Sequence, residues 1–162
     1  MTDPRIRDIT TADVDAVVGL VRELAQYEKL PEECHLTPEL LHASLFNPNP
    51  AVFAQVGDID GEVAGFALWF LNYSTWEGVH GIYLEDLYVR PEFRGAGLGK
   101  ALLLNLARIA ADRGYARVEW SVLDWNTPSI DFYLAFGAIP MDGWTMYRLT
   151  GPALARRAAE NS

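Results

Sequence analysis

Arg94-Gly95-Ala96-Gly97-Leu98-Gly99-Lys100 sets glycine at every second position between two cationic side chains. Glycine lets a backbone turn tightly and approach a ligand with no Cβ in the way. The apolar run Ala101–Leu106 that follows reads as a helix, whose N-terminus offers unpaired N–H groups and the positive end of a dipole. Loop and helix start together form a seat for a phosphate or pyrophosphate, with Arg94 and Lys100 adding charge. Just upstream, Glu85 is a carboxylate in the middle of the apolar strand Ile82–Val89; simple alternation puts it on one face with Tyr83, Leu87 and Val89 and its neighbour Asp86 on the other, so one of the two faces a site, and Glu85 is taken as that one. Such a group either holds a cation or a proton at a site, or reaches a sheet edge to pair with an arginine. Downstream, Asn126-Thr-Pro-Ser129 opens a short segment carrying Tyr133 among Ile130, Phe132 and Phe136.

Two nucleotide readings of the loop fail on spacing. A Walker loop needs glycine at position 94, which is arginine, and Ser or Thr at 101, which is alanine. A dinucleotide fingerprint needs glycine at position 100, which is lysine, and a strand leading straight into the first glycine. What remains is Arg94-x-x-Gly97-x-Gly99 after a strand, or a glycine-rich turn that merely reverses the chain.

The elements that must position these residues follow from periodicity. Arg5–Ile9 reads as a first, edge strand. Thr10-Thr-Ala-Asp13 caps a helix in which Val14, Val17, Val18, Val21 and Leu24 recur at helical spacing up to about Tyr27. Thr37-Pro38-Glu39 starts a second, short helix. Ala51–Val56 predicts a strand, Gly57–Gly61 a hairpin turn, Val63–Leu71 a strand, and Asn72–Gly81 an aromatic, polar loop. The strand at 82–89 and the glycine loop lead to a helix with Leu98, Leu102, Leu106 and Ile109 on one stripe. Alternation predicts a strand over Ala116–Val122, a helix from Asn126 to before Gly137, a closing strand over Thr145–Leu149, and a helical tail containing Leu154. The order β-α-α-β-β-β-α-β-α-β predicts an α/β fold with a mixed, mostly antiparallel sheet flanked by helices, in one domain spanning 1–162.

Composition narrows the partners. Half of the 162 residues are hydrophobic and 22% are charged, with a net charge of −9. That charge repels a phosphate backbone, so nucleic acid is not expected, whereas a cationic small substrate is attracted. No apolar run approaches the roughly 20 residues of a membrane span, and no secretory signal is visible. One cysteine, Cys34, rules out an internal disulfide and suits the cytoplasm. His35, His42 and His80 show no metal-ligand spacing, so no metal is expected.

Four segments carry a resemblance over nearly the whole chain: Glu23-Leu-Ala-Gln-Tyr-Glu28, Tyr83-Leu-Glu-Asp86, Arg94-Gly-Ala-Gly-Leu-Gly99 and Trp125-Asn-Thr-Pro-Ser-Ile-Asp-Phe-Tyr133. The sequence resembles the GNAT acetyltransferase superfamily, and within it the diamine (spermidine/spermine) and thialysine N-acetyltransferase branch. The resemblance implies acetyl-CoA as co-substrate and direct transfer of its acetyl group to a primary amine in a ternary complex. It implies that Gly95–Lys100 (Gly95, Ala96, Gly97, Leu98, Gly99, Lys100) with Arg94 bind the pyrophosphate. The backbone at Leu87, Tyr88 and Val89 would face the pantetheine arm, with Asn126 and Ser129 nearby. Glu85 would bind the amine and help remove its proton, because an alkylamine, like lysine, has a pKa of about 10. Tyr133 would protonate the leaving thiolate, whose pKa is about 8.5 like that of cysteine. Tyr27, Glu28 and Trp76 match substrate-facing positions. For each residue a structural reading stands beside the functional one: Asn126 as a helix cap, Tyr133 as a core aromatic, Tyr27 and Glu28 as a surface helix end.

The branch also implies a homodimer. Leu30-Pro31, the run Trp69–Trp76 and the Thr145–Leu149 strand are the expected contact or exchange surfaces. Polyamine-specific relatives carry a carboxylate near Ser74 that this chain lacks, which brings diamines and lysine-like amino acids such as thialysine into competition with polyamines. Two other readings stand beside the small-amine one: acetylation of a protein or peptide amine, and a non-catalytic acyl-CoA-binding protein.

Overall fold

The computed structural model describes residues 2–160. They form two units, one up to Leu123 and one from Asp124 onward. In the first unit the main elements are β1 (Ile6–Asp8), α1 (Val14–Tyr27), α2 (Pro38–Leu45), β2 (Phe53–Ile59), β3 (Glu62–Ser74), β4 (Val79–Val89), α3 (Leu98–Asp112) and β5 (Val118–Glu119). The second unit holds α4 (Thr127–Phe136) and α5 (Gly151–Ala158).

The sheet runs β1-β2-β3-β4-β5 in space, as in sequence. The first three pairings are antiparallel, and β4 with β5 is parallel. Consecutive antiparallel strands need only tight turns, whereas the parallel step needs the crossover that α3 supplies. The sheet is therefore mixed and mostly antiparallel, as expected.

Helices cover both faces. Residues opposite one another in an antiparallel pair share a face. Val56 faces Phe66, and Phe66 faces Tyr88. That face packs on Val14, Val17, Val18 and Leu20 of α1 and on Leu41 and Leu45 of α2. On the other face Phe53 pairs with Trp69, and Trp69 with Leu84. Trp69 is fully buried, its Nε1 donates to Gln55 Oε1 at 2.8 Å, and Arg113 of α3 lies 5.7 Å over its ring. Gly57 admits α3 here, since a Cβ at that point would sit 2.6 Å from Leu98 Cδ1.

Four expectations about the sheet need correction. The β2–β3 turn is only Asp60-Gly61, because Ile59 still pairs with Glu62; both turn residues have positive φ, as a two-residue hairpin requires. The segment 72–81 is not a loop: Ser74 pairs with Val79, and only Thr75–Gly78 turn. The strand expected over 116–122 is paired only at Val118 and Glu119. Thr145–Leu149 forms no strand and does not close the sheet. Alternating Thr, Met and Leu carry strand propensity, but a strand exists only where a neighbour accepts its hydrogen bonds.

Candidate active site

β4 is the element on which the site is built. Its ladder to β3 contains an irregularity: Leu68 pairs with Asp86, but the next residue, Trp69, pairs with Leu84. Glu85 is thus an extra residue, a β-bulge that breaks the alternation of the strand. Tyr83, Asp86 and Tyr88 consequently share the α1 face, while Leu84, Leu87 and Val89 share the other. This corrects the simple alternation, which put Glu85 in one row with Tyr83, Leu87 and Val89. Glu85 itself is exposed, and Asp86 beside it is half-buried.

Asp86 is the carboxylate that sequence reasoning set aside in favour of Glu85. Burial, reinforced by the charges of Glu85 and Glu28, pushes its carboxyl up to about 7. Glu28, at the C-terminal end of α1, is also raised, first by burial and then by Glu85. Three carboxylates from β4 and α1 therefore converge and repel one another. The end of α1 is held in an unusual way: Lys29 adopts the left-handed conformation (φ 64°), and Leu30 N–H donates to the Ala25 carbonyl at 2.9 Å. A non-glycine residue at that position costs backbone energy, and such strain collects at functional sites. It fixes where Tyr27 and Glu28 stand.

The outer edge of β4 is the second component. β5 pairs with it only at Ile82 and Tyr83. From Leu84 to Val89 that edge has no strand beside it among the described residues, so the backbone around Leu87, Tyr88 and Val89, apart from the Val89 carbonyl that takes Arg94, is open to an extended ligand. Gly81 lets β5 come close before the gap opens, because a Cβ there would lie 2.7 Å from Asn72 Oδ1 and 3.1 Å from the Arg117 carbonyl. Tyr88 is pinned from below: its hydroxyl donates to Glu23 of α1, which also takes Arg90 Nε at 3.2 Å. Arg90 reaches Glu62 as well, at 3.2 Å, tying α1, β3 and the end of β4 together.

The glycine loop follows after a short 3-10 turn over Pro91–Phe93. Gly95 (φ 90°) and Gly97 (φ 75°) sit in the left-handed region, and open space surrounds both. Gly99 is already helical, and its role is proximity to the Val89 side chain, 3.8 Å from where a Cβ would stand. The first helical bond runs from Ala101 N–H to the Gly97 carbonyl, leaving the amides of Leu98, Gly99 and Lys100 in the first turn without intrahelical partners. Arg94 is not simply a charge at the loop: its Nε donates to the Val89 carbonyl at 2.9 Å, and its guanidinium lies 5.5 Å over Tyr88 and 5.9 Å over Tyr27. Arg5 donates to the Ala96 carbonyl at 2.8 Å from the opposite side. The loop thus has exposed amides on a backbone fixed at both shoulders, which suits a pyrophosphate.

Ser74 and Trp76 lie on the β3–β4 hairpin. Ser74 Oγ accepts from Glu77 N–H at 3.1 Å and closes the turn, and Trp76 is 83% exposed. A large open cleft of about 610 Å³ exists on the α3 side, lined by Phe53, Gln55, Trp69 and Arg113 among others; none of the candidate residues lines it.

In the second unit, Asn126 is buried and caps α4, its Oδ1 accepting from Ser129 N–H at 3.4 Å. Gly137 ends the helix in the left-handed conformation, φ 104°. Tyr133 stands half-buried in the middle, its ring 5.5 Å from that of Phe132. The cap reading of Asn126 is therefore correct as far as it goes, and it fixes the rotation of the helix that presents Ser129 and Tyr133.

Comparison with known proteins places this arrangement. Residues 18–138 match the profile of the Acetyltransferase (GNAT) family. The thialysine N-epsilon-acetyltransferase of Bos taurus is 37% identical, over 96% of this chain and 97% of its own. The L-ornithine N5-acetyltransferase of Arabidopsis thaliana is 32% identical, over 93% of this chain and 86% of its own. An integron cassette protein from the mobile metagenome of V. cholerae shares the fold, with a TM-score of 0.79 at 24% identity, covering 96% of this chain and 97% of its own. The family uses acetyl-CoA as co-substrate, for which the open β4 edge and the glycine loop are suited, and this chain belongs to the GNAT family of acetyltransferases.

Proposed function

We propose that this acetyltransferase moves an acetyl group from acetyl-CoA to the primary amine of a small, lysine-like amino acid or diamine. One observation carries the reading: the uncovered edge of β4 leads, through a short 3-10 turn at Pro91–Phe93, to the exposed amides of the glycine loop, and two of the three clustered carboxylates lie on the same strand. A thioester ligand needs the first, and an ammonium group needs the second.

Acetyl-CoA, when bound, supplies the activated acetyl group. Arg94 and residues 95–100 hold its pyrophosphate, and the backbone at Leu87, Tyr88 and Val89 orients the arm, with Asn126 and Ser129 contributing from α4. Glu28, Glu85 and Asp86 attract the substrate ammonium, whose charge relieves their mutual repulsion. Glu85 accepts the proton that leaves the nitrogen, and Asp86, whose burial raises its carboxyl to about 7, shifts between charged and neutral forms near neutrality and so sets the charge of the neighbourhood. The nitrogen then attacks the carbonyl carbon, the C–S bond breaks as the Tyr133 hydroxyl donates its proton to the departing thiolate, and the second proton shed by the nitrogen passes through solvent to restore the Tyr133 hydroxyl. Tyr27 and Trp76 offer aromatic surface to the carbon chain of the amine.

Choice of amine rests on Ser74 and on the relatives. Where a carboxylate would anchor the far end of a polyamine, Ser74 is spent on its own turn. The similar proteins act, by name, on thialysine and on L-ornithine. Both are amino acids with a terminal side-chain amine, and an acidic pocket suits that cation. The chain works as one acetyltransferase domain, as a homodimer, in the cytoplasm, without a metal; no helix among the described residues is long and apolar enough to cross a membrane. The deciding experiment is a thiol-release assay with acetyl-CoA over thialysine, ornithine, lysine, putrescine, spermidine and a basic peptide. Turnover highest with the amino acids is expected. Turnover with the peptide alone, or CoA binding with no turnover on any amine, would overturn the proposal.

A further inference from the structure

An amino acid that enters a cluster of carboxylates brings a carboxylate of its own. Glu28, Glu85 and Asp86 attract the side-chain ammonium of ornithine or thialysine, but they repel the α-carboxylate at its other end. On charge alone such a site prefers a diamine, with two ammonium groups, to an amino acid with one net positive charge. Preference for the amino acid requires a cation that meets the α-carboxylate where the substrate leaves the cluster. Most cations nearby are engaged elsewhere. Arg90 is held by Glu23 and Glu62, each at 3.2 Å. Arg94 donates to the Val89 carbonyl and, with Lys100, flanks the glycine loop. Arg117 lies against Glu77 at 3.6 Å.

Lys29 differs in place and in conformation. It is exposed and follows Glu28 directly, at the end of α1 that carries Tyr27 and Glu28. Its backbone is the second observation. Leu30 N–H closes α1 on the Ala25 carbonyl, and Lys29 N–H bonds the Gln26 carbonyl at 3.0 Å. This closure needs a left-handed residue just past the helix, a place that glycine fills without strain. α3 closes in the same way at Gly114, with Tyr115 N–H on the Ala110 carbonyl at 2.8 Å. α4 does so at Gly137, with Ala138 N–H on the Tyr133 carbonyl at 3.0 Å. Of these three helices, α1 alone keeps a side chain at the strained position, and that side chain is a cation beside the carboxylate cluster. Strain retained next to a site is strain with a use.

We propose that Lys29 is the residue that selects amino acids over diamines: its ammonium binds the α-carboxylate of the substrate, while Glu28 and Glu85 hold the side-chain ammonium that is to be acetylated. This deepens the function proposed above and rests on it. The flexible four-carbon stem of lysine lets the charge follow substrates of different length, such as ornithine and the longer thialysine. The left-handed backbone fixes where that stem begins.

Steady-state kinetics with ornithine and putrescine test it, because the two differ only in the α-carboxylate. The wild type should favour ornithine. A charge-assisted hydrogen bond contributes roughly 10- to 100-fold, so Lys29→Met should lower the ornithine-to-putrescine ratio of kcat/KM by about that factor. Lys29→Arg, which keeps the charge, should retain most of the ratio. Lys29→Gly suits the left-handed backbone, so it should lower the ratio as far as Lys29→Met with no loss of thermal midpoint. A wild type that favours putrescine, or a ratio that moves less than twofold in Lys29→Met, would refute the role of Lys29 and leave amine acetylation standing. A ratio that falls only in variants with a lowered midpoint would also refute it, and would assign Lys29 to closing the helix. Absence of turnover on every amine would sink the proposed function, and this inference with it.

Discussion

Asp86→Asn isolates the electrostatic strain of the carboxylate cluster. The carboxyl of Asp86 rises from an ordinary 3.8 to about 7 in the folded protein. A carboxylate whose pKa is raised on folding stabilises the protein while protonated. That contribution is complete below the unfolded value near 3.8 and is lost as pH rises through about 7. A rise of this size corresponds to roughly 4 kcal/mol across the whole window. Between pH 5 and pH 8 somewhat more than half of this is expressed, about 2–3 kcal/mol. The opposite trend from Asp13, held down at about 2 by Arg7, acts at far lower pH and does not interfere. Urea unfolding of wild type and Asp86→Asn should be followed from pH 5 to 8. Titrations elsewhere in the molecule are common to both proteins, so the difference between their curves reports Asp86 and its coupling to Glu28 and Glu85. The wild type should lose about 2–3 kcal/mol relative to the variant over that span. A lost hydrogen bond would add a constant offset, which does not change with pH. Parallel curves would refute the reasoning, and with it the idea that burial at the bulge perturbs this carboxyl.

Four further outcomes follow from the same geometry. Glu85→Gln should suppress turnover most at neutral pH and recover in part at high pH, where the amine deprotonates unaided; an equal loss at every pH would restrict Glu85 to binding. Tyr133→Phe should lower the maximal rate by roughly 10²–10⁴-fold with little change in substrate affinity, and wild-type turnover would return Tyr133 to a packing role. Gly97→Asp places a carboxylate against the exposed amides of the loop, so CoA affinity measured by calorimetry should fall sharply, while the fold survives with a lowered thermal midpoint, since a side chain at φ 75° costs about 1–2 kcal/mol. Gly65→Ala would set a Cβ 2.7 Å from the Tyr88 carbonyl, a backbone atom that cannot swing aside. It should destabilise the protein by about 1–3 kcal/mol in urea titration, the cost of overpacking a well-filled site.

The helices are legible in the sequence because each states its own rule. Val14, Val17 and Val18 mark the buried face of α1, Leu98, Leu102 and Leu106 that of α3, and Thr37 and Asn126 cap their helices with their side chains. The glycine loop is legible from type and spacing alone. The strands are less so, because strand limits belong to pairs. Asn72, Ser74, Thr75 and Gly78 look like loop residues until the ladder of β3 and β4 is seen to carry through to Ser74. The bulge at Glu85 leaves no trace in the local sequence, since period-two alternation assumes one residue per partner. For that reason a choice between Glu85 and Asp86 from alternation rests on faces that the bulge redistributes. Asp86 can be suspected on a simpler ground: adjacent carboxylates in an apolar strand cannot both remain comfortable once the strand is covered by a helix that ends in Glu28.

The hydrogen bond from Arg5 to the Ala96 carbonyl joins the start of the chain to the loop at its centre. β1 is a three-residue strand at the periphery of the sheet, the kind of element that opens first when a protein breathes. Each such opening withdraws one shoulder of the loop, leaving Arg94 to hold it alone. Fraying of an edge strand and readiness of a distant ligand seat become a single equilibrium. Temperature then acts on occupancy well before it unfolds the molecule, and the slowest-exchanging amides of β1 should set the lifetime of the ordered loop.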